Sequence, residues 1–395
     1  MQGAYGLNPH LVSVFPCETY APETCEKALI AVLEPLGGLD WVRPGMRVGI
    51  KANLVAGAKP EKAVTTHPAL LAALTRLLIA RDASVVIGDS PGNLYNASVL
   101  NRVYALSGLS EAEEAGAKLN RDFSEKEAFF ADAVQAKQFT YTGWLDSCDA
   151  IVNFCKLKSH GMMSLSCAAK NLFGTIPGTM KPEYHYRFPN PNEFADMIVD
   201  LDEYFKPVLH ICDAVLAMEG NGPTQGKPKH VGALLASQDP HRLDVLAATL
   251  IGLDPAEVPT LAAAARRNLA PTSVDGIEIA GDWKQFVQTD FELIENRNSL
   301  LFVGGDNIFG KTVRGAMNLC LVSRPKVKKS ACIGCGRCRD VCPAHTIAIK
   351  NKKAVINRRN CIKCFCCQEF CPVGAMRVHR SPVAKILTHG KERSK

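Results

Sequence analysis

Two runs of four cysteines carry the clearest chemistry in this sequence. Cys332, Cys335, Cys338 and Cys342 are spaced C-x2-C-x2-C-x3-C and followed by Pro343; Cys361, Cys364, Cys367 and Cys371 repeat the spacing 29 residues later, followed by Pro372. A cubane iron–sulfur cluster presents four irons at the corners of a tetrahedron, each needing one thiolate. Three closely spaced cysteines wrap three corners, and the fourth ligand comes from elsewhere in the chain. The proline after each run stops a short helix, because it offers no backbone N–H. Zinc also takes C-x2-C pairs, but two matched quartets with trailing prolines exceed what one structural zinc site uses. The spacing therefore predicts two [4Fe–4S] clusters and one-electron chemistry. Cys366, beside Cys367, is a spare thiol that leaves open whether Cys364 or Cys366 is the ligand.

The halves CIGCGRCRDVCP and CIKCFCCQEFCP form an internal repeat that resembles the bacterial two-cluster ferredoxins. In that family three cysteines of one run share a cluster with the last cysteine of the other. The resemblance implies one cluster on Cys332, Cys335, Cys338 and Cys371, and a second on Cys361, Cys364, Cys367 and Cys342. Between the runs, Thr346–Ile349 and Ala354–Ile356 flank Lys350-Asn351-Lys352-Lys353 and read as a β-hairpin. Arg337, Arg339 and Lys363 adjoin ligands, and positive charge there favours the reduced cluster.

The rest of the chain must position whatever exchanges electrons with this module. Residues 1–322 alternate apolar β-like runs with helical patterns. Strands are expected at Arg47–Lys51, Ser84–Ile87, Asp149–Phe154 and Pro207–Val215. Helices are expected at His67–Arg81 (Thr66 as N-cap), Asn192–Phe205 and Pro240–Ile251. This alternation predicts an α/β domain with a mainly parallel sheet covered on both faces, followed by a small α+β ferredoxin-like domain. The boundaries read as 1–322 for the α/β domain, 323–330 for a basic linker, 331–380 for the cluster domain and 381–395 for a basic tail.

Ligands of such sheets bind beyond the carboxyl ends of the strands. The polar residues expected there are Lys51 and Asn53, Asp89 and Ser90, Lys156, Lys158 and His160, and Glu219 through Gly222. Lys158, His160 and Lys170 are candidates to orient or protonate an electron-accepting group, and Asp213 or Glu219 to act as acid–base or to hold a cation. The stretch Gly220–Gly226 has three glycines in seven positions but is neither a Walker A motif nor GxGxxG, so no nucleotide motif is present. A metal site on His160, His185 and Glu219 is a weaker alternative. Among the remaining cysteines, Cys148, Cys155 and Cys212 read as small buried hydrophobes. Cys167 is the best placed for chemistry, while Cys17 and Cys25 fit no metal spacing; Cys320 completes the set.

Several words of this body occur together: ThrThrHisPro (65–68), GlyAspSerPro (88–91), LysLeuLysSerHis (156–160), LysAsnLeuPheGly (170–174), GluGlyAsnGlyProThrGlnGly (219–226) and SerGlnAspProHisArgLeuAsp (237–244). They resemble the domain-of-unknown-function 362 family over roughly Gly49 to Asp254. That resemblance implies an iron–sulfur partnership, since many members end in a two-cluster ferredoxin segment, but it implies no particular reaction.

Charge is divided unevenly. From Ser323 onward there are 18 Lys+Arg against 3 Asp+Glu, while residues 1–322 hold 28 against 36, so a basic module follows an acidic body. Two clusters, each about −2 with its thiolates, offset only part of that excess. The remainder suits docking on the acidic body or on an acidic redox partner. The expected partners are a redox protein (a ferredoxin, a flavodoxin or another oxidoreductase) and a small-molecule substrate. Nucleic acid is not expected, because no basic surface interleaved with aromatics is visible. No apolar run is long enough to span a membrane and the first residues do not read as an export signal, so a cytoplasmic protein is expected. A ferredoxin-linked oxidoreductase is the leading expectation. The rival is a non-catalytic carrier that delivers electrons to a separate enzyme.

Overall fold

The structure, a computed structural model, describes residues 8, 10–92, 94–294 and 323–379. Cys320 and the expected tail lie outside the described residues. The main sheet comprises β1 (Leu11–Pro16), β2 (Arg47–Lys51), β3 (Ser84–Gly88), β4 (Lys118–Leu119), β7 (Ala150–His160), β8 (Ser164–Ser166), β9 (Leu209–Glu219), β10 (Lys227–Ser237) and β11 (Glu278–Ala280). Its order is β11-β1-β10-β9-β7-β2-β3-β4, with β8 paired beside β7. The pairs β9/β7, β7/β2, β2/β3 and β3/β4 are parallel, whereas β10 is antiparallel to both β9 and β1. A separate hairpin, β5 (Glu125–Phe129) with β6 (Gln138–Thr142), lies outside the main sheet.

Strand alternation divides the core. Val152, Phe154 and Ile211 pack with helices Pro22–Leu33 and Pro68–Ile79 on one face, while Cys155, Leu157, Cys212 and Leu235 pack with Pro240–Leu250 on the other. In helix Pro68–Ile79, Leu70, Leu71, Leu74 and Leu78 are fully buried. Burying each contributes roughly 1.5–3 kcal/mol relative to leaving it exposed. Its N-cap is His67, whose Nδ1 accepts the Ala69 N–H at 3.3 Å. Thr66, the cap expected from sequence, instead joins two strand ends: its hydroxyl donates to the Phe154 carbonyl and accepts the Asn53 N–H.

The chain runs outward from β2 through β3 to β4, then returns to lay β7 on the other side of β2. The carboxyl ends of β2 and β7 therefore meet at a topological switch point, where open α/β sheets form their crevice. β7 runs six residues beyond its expected end, to His160, and β9 four residues beyond its own, to Glu219. The lysines that seemed to end β7 lie within it, because their stems pack along buried surface and their ammonium groups find fixed acceptors.

The cluster module contains β12 (Arg324–Val327), β13 (Ile347–Lys350), β14 (Lys353–Ile356) and β15 (Met376–His379). The β13/β14 hairpin forms as expected. The expected linker at 323–330 does not: Arg324–Val327 is a strand paired antiparallel with β15. Proline is acceptable there because this is an edge strand of a two-stranded sheet, where a missing N–H need not interrupt a ladder.

Candidate functional site

The eight motif cysteines gather as two groups. A small cavity is lined by Cys342, Cys361, Cys364 and Cys367 together with Ile347, Ile356, Ile362 and Phe365. Burial and the mutual repulsion of Cys371, Cys332 and Cys335 push the Cys338 thiol up to about 11, which places those four together as well. The last cysteine of each run is treated alike: Cys342 Sγ accepts the Thr346 N–H at 3.4 Å and Cys371 Sγ accepts the Ala375 N–H at 3.1 Å. Thiols in apolar surroundings with backbone donors aimed at sulfur are the donor set of an iron–sulfur cluster. Cys366 is buried but does not line the cavity. Cys364, the other reading of the register, does line it.

The module is seated on the body. Phe365, 1% exposed, belongs to the same apolar cluster as Phe173, Tyr184 and Phe194 of the α/β domain. Gln368 Nε2 donates to the Asn221 and Gly222 carbonyls at 3.0 and 2.8 Å. Thr224 Oγ1 donates to the Glu369 carbonyl at 2.9 Å, and Gln225 Nε2 to that of Cys371 at 3.0 Å. The glycine-rich stretch is thus the cradle for helix Cys366–Glu369. Gly222 is required because a Cβ there would strike the Ser159 carbonyl.

Beneath this contact lies a buried set of charged side chains. Lys51, at the end of β2, pairs with Asp89 at 2.6 Å and donates to the Ala52 carbonyl. Lys158 donates to Asn53 Oδ1 at 2.6 Å and to the Val64 carbonyl at 2.9 Å. Burial and the adjacent Lys156 charge push Lys158 down to about 7. Lys181 donates to the Ser90 and Ile176 carbonyls, and burial pushes it to about 7 against the pull of Asp89. The Lys170 ammonium sits 4.5 Å from the Phe173 ring centre and 5.5 Å from that of Phe194. Asn171 ties the set together, its amide bonded to Asn53, Asn153 and the Lys51 carbonyl.

Two histidines complete it. His160 Nδ1 accepts the Met162 and Met163 N–H groups, which leaves the proton on Nε2, 3.2 Å from Glu369 of the cluster module. Burial pushes Glu369 up, but His160, Lys170 and His185 outweigh it and hold the carboxyl at about 2. His185 stacks on Phe194 at 4.4 Å, and burial pushes it down to about 3; among the described residues its Nδ1 has no hydrogen-bond partner.

Of the candidates read from sequence, Lys158, His160 and Lys170 come together in this set. Asp213 does not join them: its carboxylate accepts from Lys156, Tyr20, the His67 N–H and the Val215 N–H, which saturates it. Glu219 also stays apart. It accepts the Glu292 N–H beside Lys227, whereas the charges around Lys158 are Lys156, Asp89, Glu369 and Lys170. Sequence reasoning missed Lys181 and Glu369. The latter left one trace, as one of only three acidic residues from Ser323 onward.

A family described as "Domain of unknown function (DUF362)" matches residues 48–249, and a "4Fe-4S dicluster domain" matches residues 324–372. The chain belongs to the DUF362 family. It binds iron–sulfur clusters through its C-terminal domain, as an electron-transfer protein does. A thylakoid-associated protein of Synechocystis sp. is 33% identical over 272 residues, covering 67% of this chain and 81% of that protein. The lactate racemase apoprotein of Thermoanaerobacterium thermosaccharolyticum aligns with a TM-score of 0.39 at 12% identity, over 58% of this chain and 54% of its own. The DUF362 body is therefore the mixed sheet with its buried lysines, and the dicluster domain is the module seated over them. Among the described residues, no helix of this DUF362 protein is long and apolar enough to cross a membrane.

Proposed function

We propose that this protein is a ferredoxin-linked oxidoreductase that reduces a small anionic substrate at the buried lysines of the DUF362 body. The reading assigns two [4Fe–4S] clusters, one to Cys332, Cys335, Cys338 and Cys371 and the other to Cys361, Cys364, Cys367 and Cys342; each supplies one-electron transfer. The observation that carries it is the contact between His160 and Glu369, which lies between ligands Cys367 and Cys371. That contact brings the charged interior of the body to the wall of the cluster domain.

The residues divide the work. Cys335 is exposed, and the exposed Arg337 and Arg339 follow it closely, so this end receives an acidic donor such as a ferredoxin or flavodoxin. The cysteines around Phe365 lie against the body. Lys51, Lys158, Lys170 and Lys181 outnumber Asp89 and Glu369, and such an excess of buried cations favours an anionic ligand and the negative charge that develops on reduction. Lys158, poised near neutrality, and the His160 Nε2–H are the proton donors. Among the described residues no cysteine forms a disulfide, which suits a reducing compartment, the cytoplasm.

The test uses anaerobically reconstituted protein, reduced with dithionite and then mixed with a panel of small carboxylates, phosphates and oxyanions. Lys158→Met and His160→Ala are expected to slow reoxidation of the visible absorbance by roughly 10²–10⁴-fold, the range for loss of a positioned proton donor, with iron content unchanged. If no compound accelerates reoxidation and a second oxidoreductase does so equally well with either variant, the protein is an electron carrier instead.

A further inference from the structure

One other group of thiols converges, deep in the DUF362 body. Cys155 on β7 and Cys212 on β9 are register partners in adjacent parallel strands, on the face packed against helix Pro240–Leu250. Cys167, immediately before helix Ala168–Asn171, places its Sγ 3.7 Å from that of Cys155 and 3.4 Å from that of Cys212. All three sulfurs lie within 4.8 Å of one another, and none of the residues is more than 1% exposed. A carboxylate stands beside Cys167, outside the tight group that the three sulfurs form. Asp244, 1% exposed, is held by the Ala168 and Ala169 N–H groups at 2.7 and 3.1 Å, within hydrogen-bond reach of the Cys167 thiol. Among the described residues, no basic side chain pairs with this carboxylate.

We propose that Cys155, Cys167, Cys212 and Asp244 form a closed site for one zinc ion, separate from the iron–sulfur cysteines. Three cysteines that merely filled space in a core of Val, Leu and Ala would gain nothing by converging on a buried carboxylate. Four donors around a thiophilic dication do. With zinc–sulfur bonds of about 2.3 Å, the sulfurs of a tetrahedral site stand ~3.8 Å apart, close to the spacing already present before any ligand draws the thiols together. Binding expels the remaining thiol protons, and the metal offsets the thiolate and carboxylate charge in the core. The site has no open position for substrate, so its role is structural. It fixes Ala168 and Ala169, and through them Lys170 and Asn171, against the middle of β7 and β9. Sequence alone shows none of this, because the three cysteines sit 12 and 45 residues apart on separate elements.

The experiment uses the full-length protein, produced with iron and zinc supplements and purified anaerobically. Zinc and iron per chain are measured after dialysis against EDTA, and the zinc X-ray absorption spectrum is recorded. One tightly held zinc is expected, with three sulfur neighbours and one oxygen. The Cys212→Ala variant is expected to lose that zinc while keeping its iron and visible absorbance. A wild-type protein without stoichiometric zinc overturns the proposal, as does a four-sulfur shell, which would put the metal in a cluster quartet. Zinc retained by Cys212→Ala overturns it too. Should that variant fail to fold, the wild-type coordination shell decides alone.

Discussion

Lys158 shows what a single buried side chain commits the fold to. Its ammonium is fully buried and makes two short hydrogen bonds, yet burial and Lys156 still push it to about 7. Between that value and the ordinary lysine range near 10.5, the unfolded chain holds a proton that the folded chain has released. The unfolded state therefore binds more protons, and stability rises with pH across that window. Below about pH 7 both states are protonated and the cost of burying the charge is borne in full. Denaturant titrations from pH 6 to 9 should show unfolding free energy increasing with pH, and the increase should be shallower in Lys158→Met. An unchanged slope would mean that Lys158 is charged throughout. The neighbourhood of this lysine was only partly legible in the sequence. Its type and position just past an apolar run marked it as a strand-end cation, but its acceptors, Asn53 and the Val64 carbonyl, come from a different part of the chain. Glu369 was hidden for the same reason, as its role exists only once two domains touch.

At the scale of elements, local pattern fared well where one face is apolar and poorly where polar groups are paired in the interior. Helix Pro68–Ile79 and strands β2 and β3 follow from periodicity and lie close to their expected bounds. β7 was cut short because its lysines and histidine read as solvent-seeking, and nothing in one sequence shows that Asp213 will meet Lys156 at 2.7 Å. The cradle between Asn221–Gln225 and helix Cys366–Glu369 was equally invisible, its glycines being read as a ligand loop. Gln368 is the keystone of that contact, donating to two carbonyls of the body. Gln368→Ala leaves both acceptors without that donor, at a cost of about 1–3 kcal/mol. Hydrogen exchange at the amides of 221–225 should accelerate by roughly ten- to a hundredfold in this variant, with iron content intact. Exchange no faster than wild type would show that Phe365 and its apolar neighbours hold the module without the polar rim.

The whole molecule is an acidic body with a basic, cluster-bearing domain laid across one end of its sheet. The module turns the acidic Glu369 toward the body, while Arg337 and Arg339 stand exposed just past the exposed Cys335. In the proposed function that end meets a negatively charged donor, and long-range attraction then sets the encounter rate. The Debye length falls from about 30 Å at 0.01 M salt to about 8 Å at 0.15 M, so exposed charges on approaching proteins cease to sense one another over most of their path. Electron transfer from a reduced flavodoxin, followed by stopped flow, should slow by roughly tenfold or more over that range, within the 10–10³ span of electrostatic steering. The double charge reversal Arg337→Glu with Arg339→Glu should depress the low-salt rate by a similar factor and flatten its salt dependence. Iron content and the denaturation midpoint should be unaffected, because both arginines are exposed and, among the described residues, Arg339 pairs with its neighbour Asp340 on the surface. A rate indifferent to salt would locate the donor elsewhere, against a face where attraction plays no part. The inward-facing cysteines around Phe365 are unavailable for that purpose, since the body covers them. Electrons would then have to reach the chain through the DUF362 body itself, reversing the direction assigned to the buried lysines.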